Sequence, residues 1–151
     1  MQSHLYPQTR NYRVRHDVNA QLEKHIEKLL KDGVVERAMT QYNSPILCIK
    51  KGDGSGGTRF CLDCRAINKK IVSNFNYLHD AQEIIQKVMQ YRAKFYSTFD
   101  LKEAFFSLDL DPSSRDVTGF SHSKYGQLRY TKIPMGLKSS PSVFCQVMNH
   151  I

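Results

Sequence analysis

No apolar run among the 151 residues approaches the length of a membrane span, so no membrane partner is expected. Met1 to Arg15 is polar and basic with no apolar h-region, which argues against a secretory leader there. Cysteine is scarce: Cys48, Cys61, Cys64 and Cys145. Cys61 and Cys64 form a lone C-x-x-C, and the second close pair that a zinc site wants is missing. The run Arg59 to Arg65 reads as a strand. Residues three apart on a strand face opposite sides, so the two thiols are expected to diverge. Unpaired thiols fit an intracellular, reducing compartment, with cytoplasm and nucleus not distinguished. The glycine-rich run Lys51 to Arg59 ends without Gly-Lys-Ser/Thr and no helix follows it, which excludes a Walker loop. No internal repeat or low-complexity tract occurs.

What is present suits one domain with a real core. Hydrophobic residues make up 40% and charged residues 24%, a globular rather than a disordered balance. The formal net charge is +8 and lies mostly in the first half. Residues 1–75 hold 13 Lys and Arg against 7 Asp and Glu, and residues 76–151 hold 9 against 7. A basic excess favours polyanionic partners, though many soluble domains are equally basic.

Leu22, Ile26, Leu29 and Leu30 mark a helix that Asp17 or Asn19 can cap and Gly33 can end. Val34 to Glu36 and Ile46 to Lys51 read as short strands, with a glycine-rich hairpin tip after the second. Asp80 caps a helix carrying Ile84, Ile85, Val88 and Met89, with Glu83 completing a capping box. The β-branched and aromatic run Phe95 to Phe99 reads as a strand that delivers Asp100 at its end. Leu108 to Asp111 alternates as another strand, with Asp109 and Asp111 on its solvent side. A hairpin across Tyr125 to Gln127 pairs Val117–His122 with Leu128–Ile133. Ser140 caps a last helix, with Pro141 at its first position. Mixed strands and helices make an α+β domain.

Four blocks then stand in order: Gly33-Val34-Val35-Glu36 through Ser44 to Lys51; Arg59-Phe60-Cys61-Leu62-Asp63-Cys64-Arg65-Ala66-Ile67-Asn68; Phe99-Asp100-Leu101-Lys102-Glu103-Ala104-Phe105-Phe106; and Pro134-Met135-Gly136-Leu137-Lys138-Ser139-Ser140-Pro141. Together they resemble the reverse transcriptases of retroviruses and gypsy-type LTR retrotransposons, over nearly the whole chain. The resemblance implies the fingers and partial palm of a right-hand polymerase. Residues 1–15 would be an N-terminal extension, 16–94 fingers and 95–151 partial palm. It implies template-directed deoxynucleotide addition to a primer 3′-hydroxyl, with RNA or DNA template, primer and deoxynucleoside triphosphates as partners.

The resemblance also implies roles. Asp100 and the backbone carbonyl of Leu101 would hold Mg²⁺, with Mn²⁺ as an alternative; magnesium needs few protein ligands, so this can be one motif's whole share. Lys51 and Arg59 would grip the triphosphate from a mobile hairpin tip. Phe105 would lie under the sugar and exclude a ribose 2′-hydroxyl by volume. Met135 and Gly136 would face the template base and the incoming nucleotide. Met135 departs from the family, where retroviral enzymes often have Gln and gypsy-type elements often Phe. The Tyr-x-Asp-Asp motif, the thumb and RNase H are expected from the rest of a parent polyprotein, so this chain is expected to be inactive alone. The alternative is a non-catalytic nucleic-acid-binding remnant of a retroelement. An RNA-dependent RNA polymerase is disfavoured by Phe105 and by the Lys51/Arg59 block.

Overall fold

Leu22, Ile26 and Leu29 line one stripe of α1 (His16–Lys31), and all three are buried. The computed structural model describes residues 8–52, 54, 56–72 and 80–150. The stripe packs on Val34, Val35, Leu62, Ile67, Phe120, Leu128, Tyr130 and Leu137, which form one core. Each such aliphatic side chain contributes about 1.5–3 kcal/mol by leaving water. Gly33, at φ +67, ends the helix as expected. The cap differs from expectation. Arg15 occupies the N-cap position and makes no side-chain cap bond. Asp17 lies inside the first turn, paired with Arg15 at 2.6 Å.

Two antiparallel sheets follow. One has the order β1 (Val35–Arg37), β5 (Gly126–Tyr130), β4 (Phe120–His122). The other is the hairpin β2 (Ile46–Lys50) and β3 (Thr58–Leu62). In the first, Val35 stands opposite Tyr130 and Phe120 opposite Leu128, and all four are buried. Alternation turns Arg129 to the other face, where it reaches Glu36 at 2.8 Å and Asp116 at 2.6 Å. The N-terminal strap runs over this frame. Gln8 bridges to Asn43, and the Asn11 amide donates to the Ser121 carbonyl.

The mixed architecture and the glycine-rich hairpin agree with the sequence. Several elements do not. Residues 95–100 form no strand, and Phe95 and Phe99 are 91% and 93% exposed. Their β-propensity is real, but a strand needs a hydrogen-bonding partner, and none of the described strands supplies one. Leu108–Asp111 contributes only the bridge Asp109↔Lys132, because Asp111 and Pro112 immediately start a 3-10 helix, Pro112–Thr118. That helix takes residues 117 and 118 from the expected strand. The hairpin turn falls at 123–125, two residues earlier than expected, and Phe120 meets Leu128. β3 stops at Leu62. Cys64 begins a short helix, α2 (Arg65–Asn68), rather than continuing the strand. Asp80 caps α3 (Ala81–Gln90) by accepting from the Gln82 amide, as expected. The last helix, α4 (Ser140–Met148), has Ser139 at its N-cap and Ser140 as its first residue.

Candidate functional site

Antiparallel register explains how the two hairpin cations meet. Arg59 stands opposite Ile49, and the Lys51 amide donates to the Gly57 carbonyl at 2.9 Å. Residues 49 and 51 share one face of the pleat, so Lys51 and Arg59 project from the same side. Both are exposed and both line a cavity of about 300 Å³. His25, Phe60, Glu103, Phe106, Tyr130 and Met135 close its other sides. Its floor is aromatic: the Phe106 ring stacks on Tyr130, 6.2 Å between centroids. His25 leans on Phe60 at 5.2 Å. Burial lowers the His25 pKa, the nearby Lys28 lowers it further, and Glu103 opposes both.

Met135 and Gly136 sit in the loop between β5 and α4, and Asn68 at the end of α2 clamps that loop. The Asn68 amide donates to the Gly136 carbonyl at 2.8 Å, and its oxygen accepts from the Lys138 amide at 2.8 Å. Gly136 has φ +100, and a Cβ there would lie 3.3 Å from the Leu62 carbonyl oxygen. Conformation and close approach both call for glycine. Ser140 Oγ donates to the Pro134 carbonyl, closing the loop's other end.

Asp100 and Leu101 lie outside this cavity, on the exposed segment before a sharp turn. Glu103 makes the turn in the left-handed region, φ 52 and ψ 37, and Ala104–Ser107 follows as a 3-10 helix. That turn sends neighbouring rings apart. Phe105 meets Phe144 of α4 edge-on at 5.5 Å, while Phe106 enters the cavity. The structure therefore brings together Lys51, Arg59 and Met135, and leaves Asp100, Leu101, Phe105 and Gly136 off the cavity wall. No cluster of three or more His, Cys, Asp or Glu occurs among the described residues. Asp100 is exposed and has no ion-pair partner among them, so it can offer one hard oxygen to a divalent cation. Cys61 is half-buried and Cys64 buried, its thiol pushed up to about 12 chiefly by burial.

A second network fixes the back of the hairpin. Asp63 is 6% exposed and receives a forked bond from Arg65 at 2.9 and 2.7 Å. Tyr12 of the strap donates its hydroxyl to the same carboxylate at 2.7 Å. The Arg65 guanidinium holds the Asp63 carboxyl well below the usual carboxylate range; burial opposes this and Tyr12 assists.

Residues 49–151 match the family model described as reverse transcriptase (RNA-dependent DNA polymerase). The chain belongs to the reverse transcriptase family. The domain is 37% identical over 144 residues to the retrovirus-related Pol polyprotein from transposon 412 of Drosophila melanogaster, covering 93% of this chain and 11% of that polyprotein. The crystal structure of prototype foamy virus protease-reverse transcriptase superposes with a TM-score of 0.84 at 26% identity. That match covers 97% of this chain and 19% of the foamy virus chain. A foamy viral protease-reverse transcriptase in complex with double-stranded DNA matches at 0.76 and 27% identity, over 96% of this chain and 24% of that one. The chain thus spans about a tenth of the polyprotein and about a fifth to a quarter of the solved chains. Its mixed α+β fold is that of the fingers and palm region of these polymerases.

Within the reverse transcriptase domain, His25, Glu103, Asn68 and the Tyr12–Asp63 pair were not singled out from sequence. A signal for His25 existed: it shares the i, i+3, i+4, i+7 stripe of Leu22, Ile26 and Leu29, where an imidazole must face other residues. Asp63, Arg65 and Asn68 were visible as a block without separate roles.

Proposed function

We propose that this reverse transcriptase domain carries the nucleotide-gripping part of an RNA-directed DNA polymerase. Its substrates would be deoxynucleoside triphosphates, and its larger partner a primed RNA or DNA template. The observation that carries this is the cavity beneath the hairpin, where two cations face an aromatic floor. Lys51 and Arg59 grip the triphosphate by charge and by forked N–H donation. Met135, on the Asn68-clamped loop, contacts the nucleotide from the opposite wall. Phe105, braced by Phe144, limits the space for a ribose 2′-hydroxyl. Asp100 and the Leu101 carbonyl would hold Mg²⁺ or Mn²⁺, which when bound would supply neutralisation of triphosphate charge. The foamy viral enzyme solved with double-stranded DNA supports nucleic acid as the partner.

Binding of dTTP with Mg²⁺ to the 151-residue chain, measured by calorimetry, tests the grip. Arg59→Gln and Lys51→Gln are each expected to weaken binding about tenfold, the size of a lost charge-assisted contact. Absence of binding, or affinity indifferent to both changes, would overturn the proposal.

A further inference from the structure

The cavity under the hairpin has one carboxylate in its lining among the described residues, that of Glu103. A carboxylate beside a triphosphate site repels the ligand unless something neutralises it. Glu103 is also the residue that makes the left-handed turn between Asp100 and Phe105. That conformation is costly for a residue with a Cβ, so contacts must hold it. Its carbonyl accepts from the Phe106 amide at 2.8 Å. Its side chain is held by a residue distant in sequence: Lys28 of α1, with Nζ 3.5 Å from Oε1. Lys28 lies three residues after His25, on the same side of the helix, and His25 lines the cavity. The second carboxylate near Lys28 is Asp32, more distant at 3.9 Å.

We infer that Lys28 is a positioning residue of the nucleotide site: it draws the Glu103 carboxylate toward α1, so that the one acidic group in the cavity wall is neutralised and the turn after Asp100 is tethered to the fingers helix. The inference rests on the nucleotide-site reading above. Lys28 acts through Glu103 and not on the nucleotide, which makes the two residues non-additive. With Lys28 present, Glu103 is silent. With Lys28 removed, Glu103 faces the triphosphate as a free charge.

A double-mutant cycle on the 151-residue chain tests this, reading dTTP and dTMP affinity with Mg²⁺. Lys28→Gln is expected to weaken dTTP about three- to fivefold, the range for a partly exposed charge pair. The loss should be smaller for dTMP, because repulsion grows with ligand charge. Lys28→Arg should bind within about twofold of the parent. In a Glu103→Gln background, where the carboxylate and its tether to Lys28 are already gone, Lys28→Gln should have no further effect on affinity. Equal weakening in both backgrounds would show direct contact with phosphate and overturn the inference. So would unchanged dTTP affinity in Lys28→Gln, including the case where only its melting temperature falls. Arg59→Gln separates the two readings. If it weakens binding about tenfold while Lys28→Gln does nothing, only the present inference fails. If the parent does not bind dTTP, both fail.

Discussion

Replacing Asp63 by Asn keeps the shape of the side chain and removes its charge. In the parent, one 6% exposed carboxylate accepts from the Arg65 guanidinium, from the Arg65 amide and from the Tyr12 hydroxyl. An amide has a single acceptor oxygen and presents its NH₂ donors to Arg65, so the fork and the tyrosine cannot both be satisfied. Bonds to a charged group contribute about 1.5–3 kcal/mol. Arg65 is 76% exposed, and water replaces much of what its end of the pair loses. The expected cost at neutral pH is therefore about 2 kcal/mol, and about 1 kcal/mol for Tyr12→Phe, which removes one donor only. With a urea slope of about 1–3 kcal/mol/M, the Asp63→Asn midpoint should fall by about 1 M. The pH dependence carries a sign. The folded pKa of Asp63 is depressed, chiefly by Arg65, so its stabilisation is fully present above the unfolded value of about 3.9 and is lost as pH falls toward the folded one. Urea melts from pH 8 to pH 3 should show a constant difference between parent and Asp63→Asn down to about pH 5, shrinking below about pH 4. Tyr12→Phe keeps Asp63, which stays ionised in the folded state over this range, so its difference from the parent should remain constant down to about pH 3. A difference of under about 0.5 kcal/mol at pH 7, or one that grows on acidification, would refute the reasoning.

Asn68→Ala should release the Met135–Gly136 loop: the Lys138 amide, which donates to Asn68 Oδ1 at 2.8 Å, is expected to exchange with solvent about tenfold faster by NMR, with global stability reduced by about 1 kcal/mol. Gly119→Ala would place a Cβ 2.5 Å from Thr40 Cγ2 and 2.6 Å from the Tyr42 carbonyl oxygen, so a loss of about 2–3 kcal/mol is expected in urea melts, because backbone must move to admit it. Phe105→Val should raise UTP affinity relative to dTTP by about threefold or more, as steric exclusion is a difference between two ligands. An unchanged ratio with lowered stability would mean that the ring, edge-on to Phe144, serves packing alone.

Elements legible in the sequence are those whose cause is local. The α1 stripe needs only the 3.6-residue period, the Asp80 cap needs only the next two residues, and the β2–β3 hairpin needs two strands around a flexible tip. Residues 95–100 misled because propensity states what a backbone tolerates, and pairing decides what it does; Phe95 and Phe99 stand exposed with no described strand beside them. The 3-10 helix at 112–118 was locally signalled by Asp111 and Pro112, yet the alternating Leu108–Asp111 pattern outweighed that signal. Site residues divided the same way. Lys51 and Arg59 came from the family resemblance, and the short-range hairpin register then sets them side by side. His25 and Glu103 join the cavity only through the packing of α1 against a turn some 75 residues away, a separation that no local pattern encodes.

The block Arg59-x-x-x-Asp63-x-Arg65-x-x-Asn68 shows the division within ten residues. A uniform strand would have set Arg59, Asp63 and Arg65 on one face with one role. The chain instead turns from strand to helix between Leu62 and Arg65, and the corner gives each residue a different neighbour. Arg59 stays on the strand and faces the cavity. Asp63, at the corner, is buried and holds Arg65 and the strap. Asn68, one helical turn on, reaches the loop that carries Met135. Three polar residues that read as one motif thus do three jobs: lining the cavity, attachment of the strap, and alignment of the opposite wall. A substitution at Arg59 should therefore alter nucleotide affinity and leave stability nearly intact, while one at Asp63 should do the reverse.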